Sequence, residues 1–236
     1  MAIEIKTKTL KTFVDKTMMT KEQQLKEYVM RFEKEGLKIN ANSESKQARV
    51  MGWLKKEAFE SYEEIGNVGI NDLENISKVL DRFGEKIKLS KEGNLLTLKS
   101  PGKKVDVELV SENFLETDSG EPKLEFVDTF PITSEKLKEL FKDVQMNKDA
   151  TMTFETEEKK VKVSNTGKYK FLNEIDAPTC KGGAKTTFGT PLIDATANLT
   201  GNLEISMANN YPIKIIEKIE NVSVVTFIIA PRVEEE

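Results

Sequence analysis

The C-terminal stretch of residues 211–236, YPIKIIEKIENVSVVTFIIAPRVEEE, decides the fold of this chain. Apolar and charged residues alternate over positions 213–215, which is the pattern of a strand with one solvated face. Glu220 and Asn221 predict a turn, and a second, more apolar strand follows over residues 222–229. Because Pro231 cannot donate to a further strand, we expect the chain to leave the sheet there as an acidic exit segment.

The same residues resemble the end of one protein family. Tyr-Pro-Ile-Lys-Ile, a short turn and Phe-Ile-Ile-Ala-Pro-Arg-Val-Glu-Glu-Glu are similar to the C-terminus of archaeal and eukaryotic sliding clamps of the proliferating cell nuclear antigen (PCNA) type. Those proteins are rings that encircle duplex DNA and tether polymerases and other enzymes. The resemblance extends over essentially the full length without large insertions, and the C-terminal motif is its specific part.

The composition is that of a globular protein with a heavily solvated surface. The chain has 236 residues, of which 32% are charged and 38% hydrophobic, enough for one large domain or two of ordinary size. No apolar run approaches the roughly 18 residues that indicate a membrane span. The N-terminus lacks the apolar core of a secretion signal, so no membrane association is expected. We expect the protein in the cytoplasm, or in the nucleus of a eukaryote.

The absent residue types argue against an enzyme. The chain has no histidine and a single cysteine, Cys180, which excludes intrachain disulfides, Cys/His zinc sites and every nucleophile–histidine triad. No glycine-rich phosphate-binding motif is present, so neither a nucleotide, another cofactor nor a metal is expected. Cys180 is interpreted as an incidental thiol in a Gly-rich turn. An acid–base hydrolase using Asp and Glu has no recognisable site.

The order of elements repeats after about 122 residues, since the hairpin around Phe32 is similar to the one around Phe154. A repeat of this length indicates duplicated domains. Between the copies, residues 111–123 are acidic and contain Ser, Gly and Pro, which is typical of a linker. We therefore predict an N-terminal domain over residues 1–110, a connecting loop over 111–123 and a C-terminal domain over 124–236.

Each half is predicted to contain a strand, a helix, strands, a second helix and further strands, which makes the chain an α+β protein. Apolar spacing predicts a first helix around Phe13, a second capped by Asn71, a third capped by Thr133 and a fourth over residues 189–199. Residues 124–128 are predicted to form a strand. The resemblance implies two duplicated clamp domains with helices on one face of curved antiparallel sheets, assembled into a trimeric ring.

Basic residues recur on the predicted helices, off their apolar faces. In a ring these side chains would face the central hole and contact phosphates without reading bases, although an ordinary solvated helix face is the better explanation of any single lysine. The fourth helix has Asp194 and no basic residue, and the net charge of the chain is −4. The candidate DNA-binding residues are Lys11, Lys16, Lys21, Lys78, Arg82, Lys138, Lys142 and Lys148.

The resemblance also implies a pocket for short partner peptides with apolar and aromatic anchors. Its counterparts in this sequence are Phe114, Leu115, Leu124, Pro212, Ile229, Ala230, Pro231, Arg232 and the loop that includes Asn42 and Arg49. Asn42 and Arg49 fall where the family has apolar residues, so either the pocket is more polar or the local register differs by one. Local packing of the linker explains Phe114 and Leu115 equally well.

The third candidate site is the contact between subunits, formed by two edge strands. Alternating half-buried strands fit both segments even without an interface. The candidate residues are Val105, Val107, Leu109, Phe171, Leu172 and Ile175.

Two hypotheses remain open. The first is a sliding clamp that encircles duplex DNA without sequence preference and acts as a non-catalytic processivity factor. Its partners would be DNA polymerase, other enzymes carrying peptide motifs, an ATP-dependent clamp loader and further copies of itself. The second is a scaffold with the clamp fold, or a subunit of a ring of paralogues, that mainly binds proteins.

Overall fold

The computed structural model of the chain describes residues 3–19, 28–43, 45–111, 122–147, 151–189 and 196–232. Its helices are α1 (Thr7–Thr17), α2 (Leu73–Leu80) and α3 (Ser134–Gln145). The strands of the first half are β1 (Ile3–Lys6), β2 (Tyr28–Glu33), β3 (Gly36–Asn42), β4 (Ala48–Lys55), β5 (Phe59–Ser61), β6 (Gly66–Ile70), β7 (Lys86–Glu92), β8 (Leu95–Ser100) and β9 (Lys103–Glu108). Those of the second half are β10 (Asp128–Thr133), β11 (Thr151–Glu157), β12 (Lys160–Asn165), β13 (Leu172–Asp176), β14 (Lys185–Gly189), β15 (Asn202–Met207), β16 (Ile213–Ile219) and β17 (Ser223–Ile229).

The strands form three sheets whose paired strands are all antiparallel. A 5-stranded sheet has the order β5-β1-β7-β8-β9, and a 4-stranded sheet has the order β13-β12-β11-β14. An 8-stranded sheet has the order β10-β15-β16-β17-β4-β3-β2-β6 and contains strands of both halves. The α+β class predicted from the sequence is confirmed.

The strand order is itself duplicated. The run β1-β7-β8-β9 in the first half has the same order as β10-β15-β16-β17 in the second, and β6-β2-β3-β4 has the same order as β14-β11-β12-β13. The two halves meet where β17 pairs with β4, from Ser223 opposite Leu54 to Ile229 opposite Ala48. The strands that correspond to this junction, β9 and β13, are end strands of their own sheets.

Helices α1 and α3 pack on the same face of the 8-stranded sheet. α1 crosses β4 at Gly52, where a β-carbon would lie 2.6 Å from the Thr17 methyl group and 3.0 Å from the Phe13 ring. Gly52 pairs with Val225, and in β17 the side chains of Val225, Phe227 and Ile229 are all buried. α3 contacts the same face through Leu137 and Phe141, which line a small apolar cavity with Ile213, Ile215 and Ile229. The absence of a side chain at Gly52 therefore permits the close helix–sheet contact.

Three predicted boundaries were wrong. The cap of α2 is Asp72, not Asn71, because Asp72 has extended backbone and its Oδ1 accepts from the Asn75 amide at 2.9 Å. Residues 124–126 form no strand, and pairing of β10 with β15 begins at Asp128. Gly189 ends strand β14 instead of beginning a helix, and residues 196–198 form a turn. The rest of that predicted helix, including Asp194, lies outside the described residues. The Thr133 cap of α3 is confirmed, since its Oγ1 accepts from the Lys136 amide at 3.2 Å.

A buried ion pair ties the two halves together beneath the β4–β17 junction. Lys16 of α1 donates to Glu217 of β16, and the two side chains are 5% and 4% exposed. Glu217 also accepts from the amide and hydroxyl of Thr200, at 3.2 and 3.1 Å. Charges taken out of water in this way are tolerated only when they are paired and fully hydrogen-bonded. The pair therefore fixes α1 against the second half of the chain.

Replacing Lys16 by Met is expected to lower the free energy of unfolding by about 3 to 5 kcal/mol, because Glu217 is then buried without its cation. The double variant Lys16→Met/Glu217→Leu should recover most of the loss, since it leaves no buried charge. Denaturant titration followed by circular dichroism measures both. Lys218→Met is the control, because Lys218 forms an exposed pair with Glu204 at 3.5 Å and its loss should change stability little. A Lys16→Met variant as stable as the wild type would contradict this assignment.

Candidate functional site

The exposed faces of the helices carry both signs of charge. Lys11 of α1 bonds Asp15 at 2.7 Å and lies 3.5 Å from Asp81, and the hydrogen bond with Asp15 raises the pKa of Lys11. Lys78 of α2 pairs with Glu74 at 2.6 Å, which raises the pKa of Lys78. These cations keep their charge at every physiological pH, but nearby carboxylates offset their field.

The remaining predicted cations differ in their surroundings. Arg82 and Lys142 are exposed, while Lys138 is half-buried and donates to the Leu199 carbonyl at 3.0 Å. Lys16 does not lie on an exposed face at all, because it is buried against Glu217. The sequence interpretation placed it off the apolar face of α1 and had no means of finding a carboxylate that is distant in sequence. Lys21 and Lys148 lie outside the described residues.

The sequence interpretation omitted two basic residues on these helices. Lys8 is exposed on the first turn of α1, and Lys136 of α3 is half-buried and lies 3.2 Å from Glu139. Their helical position and charge were visible in the sequence. The described helices therefore present faces on which lysines and carboxylates are interspersed.

A groove with a volume of about 660 Å³ lies on the opposite face of the 8-stranded sheet. Its aromatic wall is Phe126 against Tyr211, with ring centroids 6.1 Å apart and an edge-to-face angle of 77°. Ile228 of β17 contributes an apolar floor, because successive side chains of a strand point to opposite faces. The lining residues are Pro122, Lys123, Leu124, Glu125, Phe126, Tyr211, Lys214 and Ile228.

Of the residues predicted for a peptide pocket, Leu124 lines this groove. Ile229 does not, because it is 3% exposed and faces the helix side of the sheet, where Ile228 faces the groove. A shift of one residue along a strand moves the side chain to the opposite face of the sheet. Which of Ile228 and Ile229 faces the groove therefore depends on the strand register, which the sequence alone does not give. Sequence reasoning also missed Phe126, Tyr211 and Lys214, which line the groove from the segment before β10 and from the start of β16.

The other predicted pocket residues within the described part of the chain do not line this groove. Asn42 pairs with Arg49 across β3 and β4, and Arg49 pairs with Ile228 across the junction, so these polar side chains share the face of the groove. Arg49 donates to Asn40 at 2.9 Å. Pro212, Ala230 and Pro231 are half-buried, and the exit segment is fixed by Ala230 N–H to the Gln47 carbonyl and Arg232 N–H to the Thr187 carbonyl. Phe114 and Leu115 lie outside the described residues.

The predicted contact residues lie on two end strands or directly beside them. Val105 and Val107 of β9 are half-buried, as are Leu109, Phe171 and Ile175, while Leu172 of β13 is 61% exposed. Their counterparts at the internal junction differ, since Phe227 and Ile229 of β17 are buried. The end strands therefore present apolar side chains that the fold of one chain covers only partly.

Three other edge strands, β6, β10 and β14, are occupied. Lys91 donates to the Asn67 carbonyl on β6 at 2.5 Å, and Val110 N–H bonds Gly69 of the same strand at 3.0 Å. Arg232 N–H bonds Thr187 of β14, and Thr179 donates to the Thr129 carbonyl on β10. Such contacts prevent a further strand from adding there. Among the described residues, the edge strands β9 and β13 lack this protection.

The arrangement defines a class of fold: two α+β halves that repeat one strand order, antiparallel sheets with helices packed on one face, and one unprotected edge strand in each half. Solved PCNA structures have it. The chain is similar to PCNA of A. fulgidus, solved with the C-terminal region of FEN-1 bound, at a TM-score of 0.86 and 18% identity over 100% of both chains. It is similar to the PCNA2–PCNA3 complex of Sulfolobus tokodaii (TM-score 0.78, 19% identity, 98% of this chain and 99% of that one) and to proliferating cellular nuclear antigen of Entamoeba histolytica (TM-score 0.82, 19% identity, 98% of both).

No protein-family model matches the sequence, and no curated protein is significantly similar to it. The solved structures therefore show the fold, and they confirm the resemblance read from the C-terminal motif at that level. Within the described residues, no helix has the length and apolar character to cross a membrane.

Cys180 is buried, with 4% of its surface exposed. Burial, with the nearby charge of Asp128 as a second cause, raises the pKa of the thiol to about 11. Asp128 accepts from the Lys181 and Gly182 amides at 2.8 and 3.1 Å and from Thr156, which holds the loop closed. A thiol in this state is a poor nucleophile at neutral pH.

Labelling of Cys180 in the folded protein at pH 7.5 is expected to be at least about 100-fold slower than labelling of an exposed cysteine, because little thiolate is present and access is restricted. Mass spectrometry of iodoacetamide adducts over time measures the rate, and the denatured chain provides the reference. The rate should rise with pH up to about 11. Labelling at equal rates in the folded and denatured protein would show that the thiol is accessible.

Proposed function

We propose that this protein is a sliding clamp that encircles duplex DNA, serves as a processivity factor for DNA polymerase and tethers other replication and repair enzymes. The observation that carries the proposal is the likeness to PCNA over 100% of both chains, with no part of either left out. In this function the chain catalyses nothing itself and acts within the cell, where DNA is replicated. The matching domain division is 1–110, 111–123 and 124–236.

The ring closes through the open edges. β9 of one copy pairs with β13 of the next as β17 pairs with β4 inside the chain, so the same geometry continues from copy to copy. A head-to-tail contact of this kind forms a closed ring when its rotation fits. Three copies would give six domains, as the resemblance to PCNA implies, with Val105, Val107, Leu109, Phe171, Leu172 and Ile175 at each contact.

The helices on one face of the sheets line the hole. Cations there, the exposed Lys8, Arg82 and Lys142 and the half-buried Lys11 and Lys138, contact phosphates without reading bases. Their interspersed carboxylates keep each contact weak, which favours sliding over fixed binding. Retention is topological, because a closed ring cannot leave a duplex sideways. Opening the ring requires an ATP-dependent loader, since this sequence has no nucleotide-binding motif.

The groove beside Ile228 receives partner peptides. Phe126, Tyr211 and Leu124 offer an apolar and aromatic surface of the kind that accepts apolar anchors. The PCNA of A. fulgidus holds the C-terminal region of FEN-1, which supports a peptide site on this fold. Tethering of this kind raises the local concentration of an enzyme at its template.

One observation favours a second candidate, a clamp-fold scaffold or a member of a ring of paralogues that mainly binds proteins. Lys11 is paired with Asp15 and Asp81, Lys78 with Glu74, and Lys16 is buried, so the helix face is less basic than the sequence suggested. The Sulfolobus tokodaii complex contains two different PCNA subunits. Retention on DNA distinguishes the candidates.

We expect the protein, once loaded onto a closed circular duplex, to remain bound at salt concentrations that remove phosphate-bound proteins, because retention is topological. Linearising the circle with a restriction enzyme should release it within minutes. Gel filtration of fluorescently labelled protein with the DNA measures retention. Nicking is the control, since a nicked circle has no end from which a ring can slide.

Equal retention on cut and closed DNA would contradict encirclement. No retention on either, with peptide binding intact, would favour the scaffold.

Phe126→Ala is expected to weaken binding of a labelled peptide from the C-terminal region of FEN-1 by about tenfold or more, because it removes an aromatic wall of the groove. Fluorescence anisotropy measures the dissociation constant. Val127→Ala is the matched control, since Val127 is the next residue and is 56% exposed without lining the groove. Equal effects of both substitutions would place the peptide elsewhere.

A further inference from the structure

The duplication aligns α1 with α3 residue by residue. Each helix follows the first strand of its half without a gap, so Thr7 corresponds to Ser134. The other buried positions then match: Leu10 with Leu137, Phe13 with Leu140, Val14 with Phe141, and Thr17 with Val144. In this alignment Lys16, the cation that reaches the second half of its own chain, corresponds to Asp143.

The hairpins β8–β9 and β16–β17 align in the same way. The buried residues Leu96 and Leu98 correspond to Ile213 and Ile215, so the next inward position, Glu217, corresponds to Ser100. Across the hairpin, Glu217 pairs with Val225 and Ser100 pairs with Lys103. At the open edge, the Ser100–Lys103 pair therefore stands where the buried carboxylate of Glu217 stands at the internal junction.

Lys103 lies on the helix side of its sheet. Its Nζ donates to the Arg82 carbonyl at the end of α2, at 2.6 Å, and lies 5.5 Å from the centre of the Phe83 ring. Neither group is a carboxylate. The cation is thus held at the edge of the sheet, near the surface that a neighbouring copy would cover.

Asp143 occupies the matching place at the other open edge. It is half-buried on α3 and accepts from the Asn173 amide group of β13, at 3.2 Å. This contact keeps the carboxylate beside the open strand, on the helix side of its sheet. The two open edges therefore carry opposite charges: Asp143 at the position that corresponds to Lys16, and Lys103 beside the position that corresponds to Glu217.

We propose that Asp143 of one copy pairs with Lys103 of the next copy. This pair would be the counterpart of the internal Lys16–Glu217 pair, with the charges of helix and sheet exchanged. The inference rests on the proposed ring and names the contact that selects its partner. Helix cation and sheet anion meet inside the chain, and helix anion and sheet cation meet between copies. A partner with a cation at the position of Asp143 is therefore rejected by Lys103, which makes a second copy of this chain the fitting neighbour.

A charge-exchange experiment tests this in any size of ring. Asp143→Lys and Lys103→Asp are each expected to raise the dissociation constant of the assembly at least about tenfold, because each places like charges together. The double variant Asp143→Lys/Lys103→Asp should return towards the wild-type value, since the pair is restored with its signs reversed. Sedimentation velocity over a concentration series measures assembly, and circular dichroism confirms that each variant is folded.

Glu139→Lys and Lys99→Asp are the matched controls, with the same charge changes at exposed positions of α3 and β8. Both should assemble as the wild type does. Wild-type assembly by both single variants, or a double variant no better than the singles, overturns the Asp143–Lys103 pair and leaves the ring intact. A monomeric wild type at micromolar concentration overturns the ring itself, and this inference with it.

Discussion

The pairing of β17 with β4 is the constraint on which the rest of the structure depends. It joins the last strand of the chain to the first half in one register, and so makes a single 8-stranded sheet out of two sets of four strands. Because side chains alternate across a strand, this register also decides which residues face the helices and which face the outer groove. Ile229 and Ile228 are separated to the two faces by it, and the Lys16–Glu217 pair is brought together beneath it.

The junction also gives the two faces of the sheet different chemistry. On one face, the helices fill the space above Gly52 and the apolar side chains of β17, and they present charged residues to solvent. The other face carries no helix among the described residues, and aromatic side chains from separate segments collect there around Ile228. A surface of mixed charge suits weak contacts with a polyanion, while an apolar groove suits anchored peptides. One strand pairing thus separates the face proposed to contact DNA from the face proposed to bind peptides.

Much of this was predictable from the sequence. The apolar alternation of the last hairpin, the Thr133 cap and the repeat through Phe32 and Phe154 are local signals, and the structure has the corresponding elements. What the sequence did not contain was which element lies next to which. Lys16 has the spacing of a solvated residue, and only the position of Glu217 makes it a buried one. The aromatic wall of Phe126 and Tyr211 likewise joins residues far apart in the chain, so no local pattern indicated it.

Open sheet edges are normally a hazard, because unpaired strands add to one another without limit. This chain protects its edges unequally: Lys91 and the exit segment occupy β6 and β14, whereas β9 and β13 are open. The open strands are short and carry charged residues on their exposed side, including Lys104, Asp106, Glu174 and Asp176, which oppose indiscriminate pairing. Apolar residues on the other side, among them Val105 and Val107, are covered less well than Phe227 and Ile229 at the corresponding internal positions. An edge that is polar enough to avoid random addition and apolar enough to gain from burial is suited to one specific neighbour, and the proposed ring takes the pattern of that contact from the internal junction.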